Sequence, residues 1–259
     1  MLIPVLLSSL LTGDPGLTVE EIVARVAANQ DRAVEQRKQF IYKLRVHVQS
    51  RRTNGKLVRE ETAEYEVFPA PKGAERKLAA ISGRYWKKGR YIDFKGQPRP
   101  EADSLDGDLV ESFFDDTVDD LPLTSDAQKK YRFELLGEQD VRGRKAWRVG
   151  FRPADKNDFT WAGEALIDQQ EFQPISVFTK LSRRIPLAVR TLLGTDLPGI
   201  GYNVTFQRLD ENVWFPASYG CEFTLHVLFF LNREISVSVE SSGFRRTHVD
   251  TVMRVVAPQ

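Results

Sequence analysis

Three histidines, two aspartate pairs, one cysteine and a glycine pair are the places where this chain of 259 residues could do chemistry. His47, His226 and His248 are far apart in sequence and form no His-Glu-x-x-His pattern. Each alternates with apolar neighbours, as strand residues do, so each is expected to be a solvated, outward-facing side chain. Asp115-Asp116 and Asp119-Asp120 are spaced to share one side of a short helix. Paired carboxylates can bind Ca²⁺ or share a proton. A calcium loop, however, places oxygens at alternate positions around a glycine turn, and that pattern is absent. A solvated acidic face is the expectation. Gly199-Ile200-Gly201 begins like a dinucleotide loop, but Val204 stands where the third glycine or alanine belongs. The residues beyond it read as a strand, so no helix N-terminus would meet a phosphate. Neither a Gly-x-Ser-x-Gly elbow nor a Walker loop occurs. The lone Cys221 excludes an internal disulfide and a cysteine-rich zinc cluster, and its neighbours Tyr219 and Phe223 predict a buried, inert thiol. The sequence therefore offers no catalytic residue, no metal site and no cofactor site.

The bulk composition agrees with a folded globular chain. Charged residues are 28% and hydrophobic residues 41%, enough for a real core. Net charge is +1, which leaves no basic footprint for nucleic acid. The apolar run at the N-terminus is too short to cross a bilayer. Residues 1–16 read as a shortened export signal, although the first basic residue is Arg25 and an Ala-x-Ala cleavage site is missing. Residues 17–259 read as one domain, since no internal repeat or linker divides them.

The elements follow from two periods. Residues 17–35 read as the one long helix: Thr18 and Glu21 make a capping box, and Val19, Ile22, Val23, Val26 and Ala27 form an apolar stripe. Near Gln39 the period changes to two. Phe40, Tyr42, Leu44, Val46 and Val48 alternate with polar residues, and Asn54-Gly55 marks a hairpin. Further short alternating runs, punctuated by Gly and Pro, follow to residue 255. They predict about ten to twelve strands in meander order, without a βαβ rhythm. Two segments interrupt them. Residues 101–128 hold ten acidic residues and no Lys or Arg, together with Leu109, Val110, Phe113 and Phe114. Residues 183–198 join Arg183, Arg184 and Arg190 to Leu187, Leu192 and Leu193.

Aromatic residues are the remaining signal. Trp86, Tyr91, Trp147, Trp161 and Phe223 all fall in or beside strands, where aromatics are usually core. One helix is about 10–12 Å across and cannot cover some eleven strands. Apolar sheet surface should remain as a groove for an apolar ligand. Burying each methylene of such a ligand is worth about 0.8 kcal/mol, with no catalysis required.

The run Gly143-Arg-Lys-Ala-Trp-Arg-Val-Gly-Phe-Arg-Pro153, with Gly163-Glu-Ala-Leu-Ile-Asp168 and Pro174-Ile-Ser-Val-Phe178, resembles the LolA/LolB-like family of periplasmic lipoprotein carriers. The sensor domain of the sigma-E regulator RseB shares that fold. The resemblance implies an α+β fold: a curved antiparallel half-barrel (an unclosed β-barrel) with an N-terminal helix and lid-like helices on the concave side. It implies a non-catalytic periplasmic or secreted protein of the bacterial envelope. The implied partner is a lipid, an acyl chain or a lipidated protein, with transient membrane or envelope-protein contact and no nucleic acid. An envelope-stress sensor or interaction module without carrier activity is the alternative. Trp86, Tyr91, Phe113, Phe114, Trp147, Leu192, Leu193 and Phe223 are the candidates for cavity or lid. The two interrupting segments are expected to flank the mouth of the half-barrel.

Overall fold

A computed structural model describes residues 16–70, 73–96, 121–155, 161–182, 195–196, 201–210, 213–227 and 231–247. The first element is the helix α1, Val19–Arg37. Thr18 Oγ1 accepts from the Glu21 amide while the Glu21 carboxylate accepts from the Thr18 amide, the predicted reciprocal cap. Hydrogen bonds donated by the Thr18 amide, first, and by the Thr18 hydroxyl hold the Glu21 carboxyl below its usual range. Ile22, Val26, Ala27, Gln30 and Ala33 are the buried stripe, so the helix has one face for the sheet and one for water.

Twelve strands follow: β1 (Phe40–Arg51), β2 (Leu57–Ala70), β3 (Gly73–Lys87), β4 (Arg90–Lys95), β5 (Tyr131–Val141), β6 (Arg144–Pro153), β7 (Trp161–Asp168), β8 (Pro174–Leu181), β9 (Thr195–Asp196), β10 (Tyr202–Asp210), β11 (Val213–Val227) and β12 (Leu231–Arg246). A short helix α2, Ser125–Gln128, precedes β5. The strand expected over residues 248–255 lies outside the described residues.

All strand pairs are antiparallel, and the sheet does not close. Its order is β4-β3-β2-β1-β12-β11-β10-β8-β7-β6-β5, with β9 paired beside β11. Two meanders are joined where β1 meets β12. Among the described strands, β4 and β5 are therefore the two edges, and residues 96–130 connect one edge to the other. That is the architecture expected of a half-barrel.

Gly163 and Gly201 are among the places where neighbouring strands approach too closely for a side chain. A Cβ at Gly163 would stand 1.9 Å from the Phe178 carbonyl oxygen, and one at Gly201 would stand 2.2 Å from that of Thr179. Both flank the end of β8. Gly201 immediately precedes strand β10 and serves strand packing.

The two faces of the sheet differ in character. Directly opposed residues in a ladder point to the same side. One such row runs Leu135–Val149–Ala165–Val177–Val204–Tyr219–Val239–Val46–Ala63–Ile81 across ten strands. The adjoining row on the other face runs Arg148–Leu166–Ser176–Thr205–Ser218–Glu240–Arg45–Glu64. The sheet is apolar on one face and largely polar on the other, as two-residue alternation demands.

Candidate functional site

The apolar face carries two clusters. The first gathers Trp147, Val149, Phe151, Ala165, Ile167, Val177, Tyr202, Val204 and Phe206 with Ile22 and Val26 of α1 and with Leu121 and Leu123. Val19 and Val23 pack against its rim, so the helix seats through the stripe read from the sequence. The second cluster gathers Leu44, Val46, Val48, Val67, Phe223, Ile235, Val237 and Val239. Trp161, Tyr219 and Cys221 touch both, which makes the two clusters one surface. The main contacts of α1 and α2 are with β11, β5 and each other. The helices serve the first cluster; the second belongs to the strands β1, β2, β11 and β12.

A polar clamp fixes where the helix sits. Asp168 ends β7, is almost fully buried, and its Oδ1 accepts from the amides of Gln170 and Glu171. Arg144 on β6 donates to Asp168 at 2.6 Å and to Glu171 at 3.1 Å. These two hydrogen bonds, to Asp168 first, push the Arg144 pKa above its ordinary value. Glu171 also accepts from the Trp214 indole at 2.8 Å. The helix joins the same turn: Asn29 donates to the carbonyls of Glu171 and Phe172, and Gln30 to Gln173 at 2.6 Å. Phe172 is left-handed (φ 50), which a bulky side chain rarely adopts. Its ring is held between Trp147 at 5.1 Å and the Arg25 guanidinium at 4.8 Å. A polar cleft of about 360 Å³, lined by Asn29, Arg32, Gln36, Glu171 and Gln173, lies on this seam. It belongs to the clamp and not to the apolar face.

The sequence candidates separate by face. Trp147 is on the apolar face beneath α1, and Val149 and Phe151 share its side while Arg148 points away to Glu164. Phe223 is on the same face in the second cluster. Trp86 and Tyr91 are opposed to each other on the polar face, because Ile81, Gly83 and Tyr85 take the inward positions of β3. Their rings meet edge to face at 4.9 Å, and Lys56 lies over Trp86. They therefore leave the list of residues for an apolar ligand. Phe113, Phe114, Leu192 and Leu193 lie outside the described residues, as do Asp115, Asp116, Asp119, Asp120 and His248. His47 is on the polar face beside Thr62 and Glu60.

Cys221 is half-buried and not fully so. Burial, and then the nearby Glu222 charge, push its thiol up to about 11, so it stays protonated.

Sequence reasoning missed three inward polar residues: Ser50, Arg59 and Glu61, all buried. The signal was available. Arg59 and Glu61 are in phase with Leu57, Ala63 and Val67 along β2, so the period that buries those residues also buries the charges.

No family model matches the chain. No curated protein matches it in sequence. Among solved structures it is similar to a domain named for outer membrane lipoprotein sorting from Vibrio parahaemolyticus, at 12% identity, 89% of this chain, 94% of that one and a TM-score of 0.43. It is similar to a DUF1329 family protein from Desulfovibrio piger at 10% identity, 88% and 92% coverage and a TM-score of 0.38. It is also similar to a LolA superfamily protein from Nitrosomonas europaea at 9% identity, 85% and 94% coverage and a TM-score of 0.33.

Proposed function

We propose that this chain binds the acyl chain of a lipid or of a lipidated protein on the apolar face of its sheet, on the side of β1, β2, β11 and β12, and does so without catalysis. The observation that carries the reading is the apolar row that crosses ten strands while the helices serve only part of it. The proposed wall is the cluster of Phe223, Val46, Val237 and Val239, which is buried in this structure and has to open to admit the chain. A dozen buried methylenes give about 10 kcal/mol before the costs of ordering, which is ample for a carrier. In chain order, residues 96–130 link β4 to β5, and residues 183–198, which include β9, come after β8 and before β10. Phe113, Phe114, Leu192 and Leu193 are proposed as the apolar contacts that these segments bring to the mouth. The proposed setting is the bacterial envelope. Among the described residues no helix is long and apolar enough to cross a membrane.

Two measurements test the reading. Mass spectrometry of the organic extract of natively purified protein is expected to show stoichiometric lipid. Titration with a pyrene-labelled fatty acyl probe is expected to saturate and to reverse on adding unlabelled lipid. Absence of both effects overturns the proposal.

A further inference from the structure

Two hairpin tips meet at one corner of the sheet: residues 51–57, which lead from β1 into β2, and residues 84–92 around the β3–β4 turn. Lys56 Nζ lies 3.6 Å from the centre of the Trp86 ring and so joins the tips. Neither stretch contains Asp or Glu. The β3–β4 turn breaks two local rules. Lys87 is directly opposite Arg90, and like charges so placed repel. Lys88 is left-handed (φ 47) before Gly89 (φ 85), at a position where Asn, Asp or Gly is favoured. The β5–β6 turn has the same left-handed pair in Arg142 and Gly143, but there Arg144 is matched by Asp168 and Glu171. The carboxylates that adjoin the β3–β4 corner already face other cations. Glu60 pairs with Arg84 at 2.9 Å, Asp93 stands opposite the same arginine, and Glu234 stands opposite Arg51. Among the described residues, Arg52, Lys56, Lys87, Lys88 and Arg90 have no ion-pair partner. All but Lys56 are exposed. A chain whose net charge is +1 thus gathers these unmatched cations at one corner.

We infer that this corner docks the protein on a bilayer surface that carries anionic phospholipids. Repulsion between Lys87 and Arg90 that no carboxylate of the fold offsets points to an offset from outside the chain. An anionic leaflet supplies it, since each Lys or Arg close to such a surface strengthens binding about fivefold. Trp86 and Tyr91 stand among the cations, edge to face at 4.9 Å, and Tyr91 is 40% exposed. Each joins an apolar ring to a polar edge, the combination that settles at the headgroup level. The cations occupy two hairpin tips and not a stripe. They fit a surface touched at one place better than a nucleic-acid strand tracked along its length. The corner is separate from the apolar wall of the acyl-binding reading, so the inference goes beyond that reading and does not rest on it.

The experiment is co-sedimentation at low salt with vesicles of phosphatidylcholine alone, or of phosphatidylcholine and phosphatidylglycerol in equal parts. The native protein is expected to bind the mixed vesicles about a hundredfold or more tightly than the neutral ones. Molar salt should release it, because the screening length then falls to about 3 Å. The triple substitution Lys87→Gln, Lys88→Asn and Arg90→Gln should lower affinity for the mixed vesicles about a hundredfold, with folding checked by circular dichroism. Lys88→Asn alone separates docking from folding. Asn suits the left-handed position, so stability in urea should hold or rise while vesicle binding falls about fivefold. If the triple variant does not fold, Lys88→Asn decides. An uncharged pyrene-labelled acyl methyl ester, titrated without vesicles, should bind the variants as it binds wild type, so loss of docking is distinguishable from loss of the acyl site. Equal affinity for the two kinds of vesicle, or variants that stay within about twofold of wild type on mixed vesicles, overturns the inference. Absence of vesicle binding overturns it as well, and retention on immobilised duplex DNA would then assign the corner to nucleic acid.

Discussion

Val46 on β1 lies directly opposite Val239 on β12, so the first and last described strands are neighbours in the middle of the sheet. Both side chains are buried in the cluster proposed as the ligand wall. The pairing welds the β1–β4 meander to the β5–β12 meander, and every contact across it spans most of the chain. Such non-local closure makes folding slow. Val239→Ala removes two methyl groups at a site with no exposure and is expected to cost about 2–3 kcal/mol in urea denaturation. A loss below about 0.5 kcal/mol would show that the seam is not a packed core.

Trp147 is the test of the first cluster. It is buried beneath α1, against Phe172 at 5.1 Å. Trp147→Ala is expected to destabilise by about 3–5 kcal/mol. The same loss should appear in the far-ultraviolet signal of the helix, because the Phe172 turn it supports also holds Asn29 and Gln30. A loss below about 1 kcal/mol would place Trp147 outside the core.

Much of this architecture was legible because local rules govern it. The Thr18–Glu21 cap, the Val19–Val26 stripe and the alternation of Trp147, Arg148 and Val149 each depend on neighbours within a few residues. What escaped depends on register. Trp86 looks like any strand aromatic until the pairing of Ala63 with Ile81 fixes which β3 residues face inward. The β1–β12 neighbour relation joins residues nearly two hundred positions apart and has no local signature. Arg59 and Glu61 illustrate a different failure. Their phase was readable, but charge suggests water, and only the structure shows both buried.

The clamp at Asp168 makes a sharper prediction about the helix. Its carboxylate closes the β7–β8 turn through two amides and holds Arg144. Asp168→Ala leaves those amides without their acceptor and Arg144 with Glu171 alone, and is expected to cost about 2–4 kcal/mol. Because Asn29 and Gln30 dock on the same turn, hydrogen exchange in α1 should accelerate more than in β1 or β2. Equal acceleration throughout the chain would show that the turn does not position the helix.

Cys221 predicts a pH response. Its folded thiol titrates near 11 against an ordinary 9.0, so the folded state holds the proton more tightly. That contribution is complete below about pH 9 and is lost as pH rises through 11. Folding stability should therefore fall over that window in wild type and fall less in Cys221→Ala. A thiol reagent at neutral pH should label Cys221 slowly in the folded protein and fast in urea. Rapid labelling of folded protein would mean that the thiol is open to solvent.

The division of the candidates between the two faces gives the last test. Trp86 and Tyr91 are opposed to each other on the polar face, whereas Phe223 stands beside Ile235 in the apolar cluster. The double substitution Trp86→Ser and Tyr91→Ser should leave binding of the pyrene-labelled acyl probe within about twofold of wild type, because neither ring reaches the apolar face. Phe223→Ala removes wall surface and should weaken the probe by about tenfold or more, with folding verified by circular dichroism. Serine pairs at Phe113 and Phe114, or at Leu192 and Leu193, should weaken it by a smaller factor if the two segments close over the chain, since a lid shields the ligand on one side only. A loss of binding in the Trp86 and Tyr91 variant, with Phe223→Ala unaffected, would move the ligand to the opposite face of the sheet.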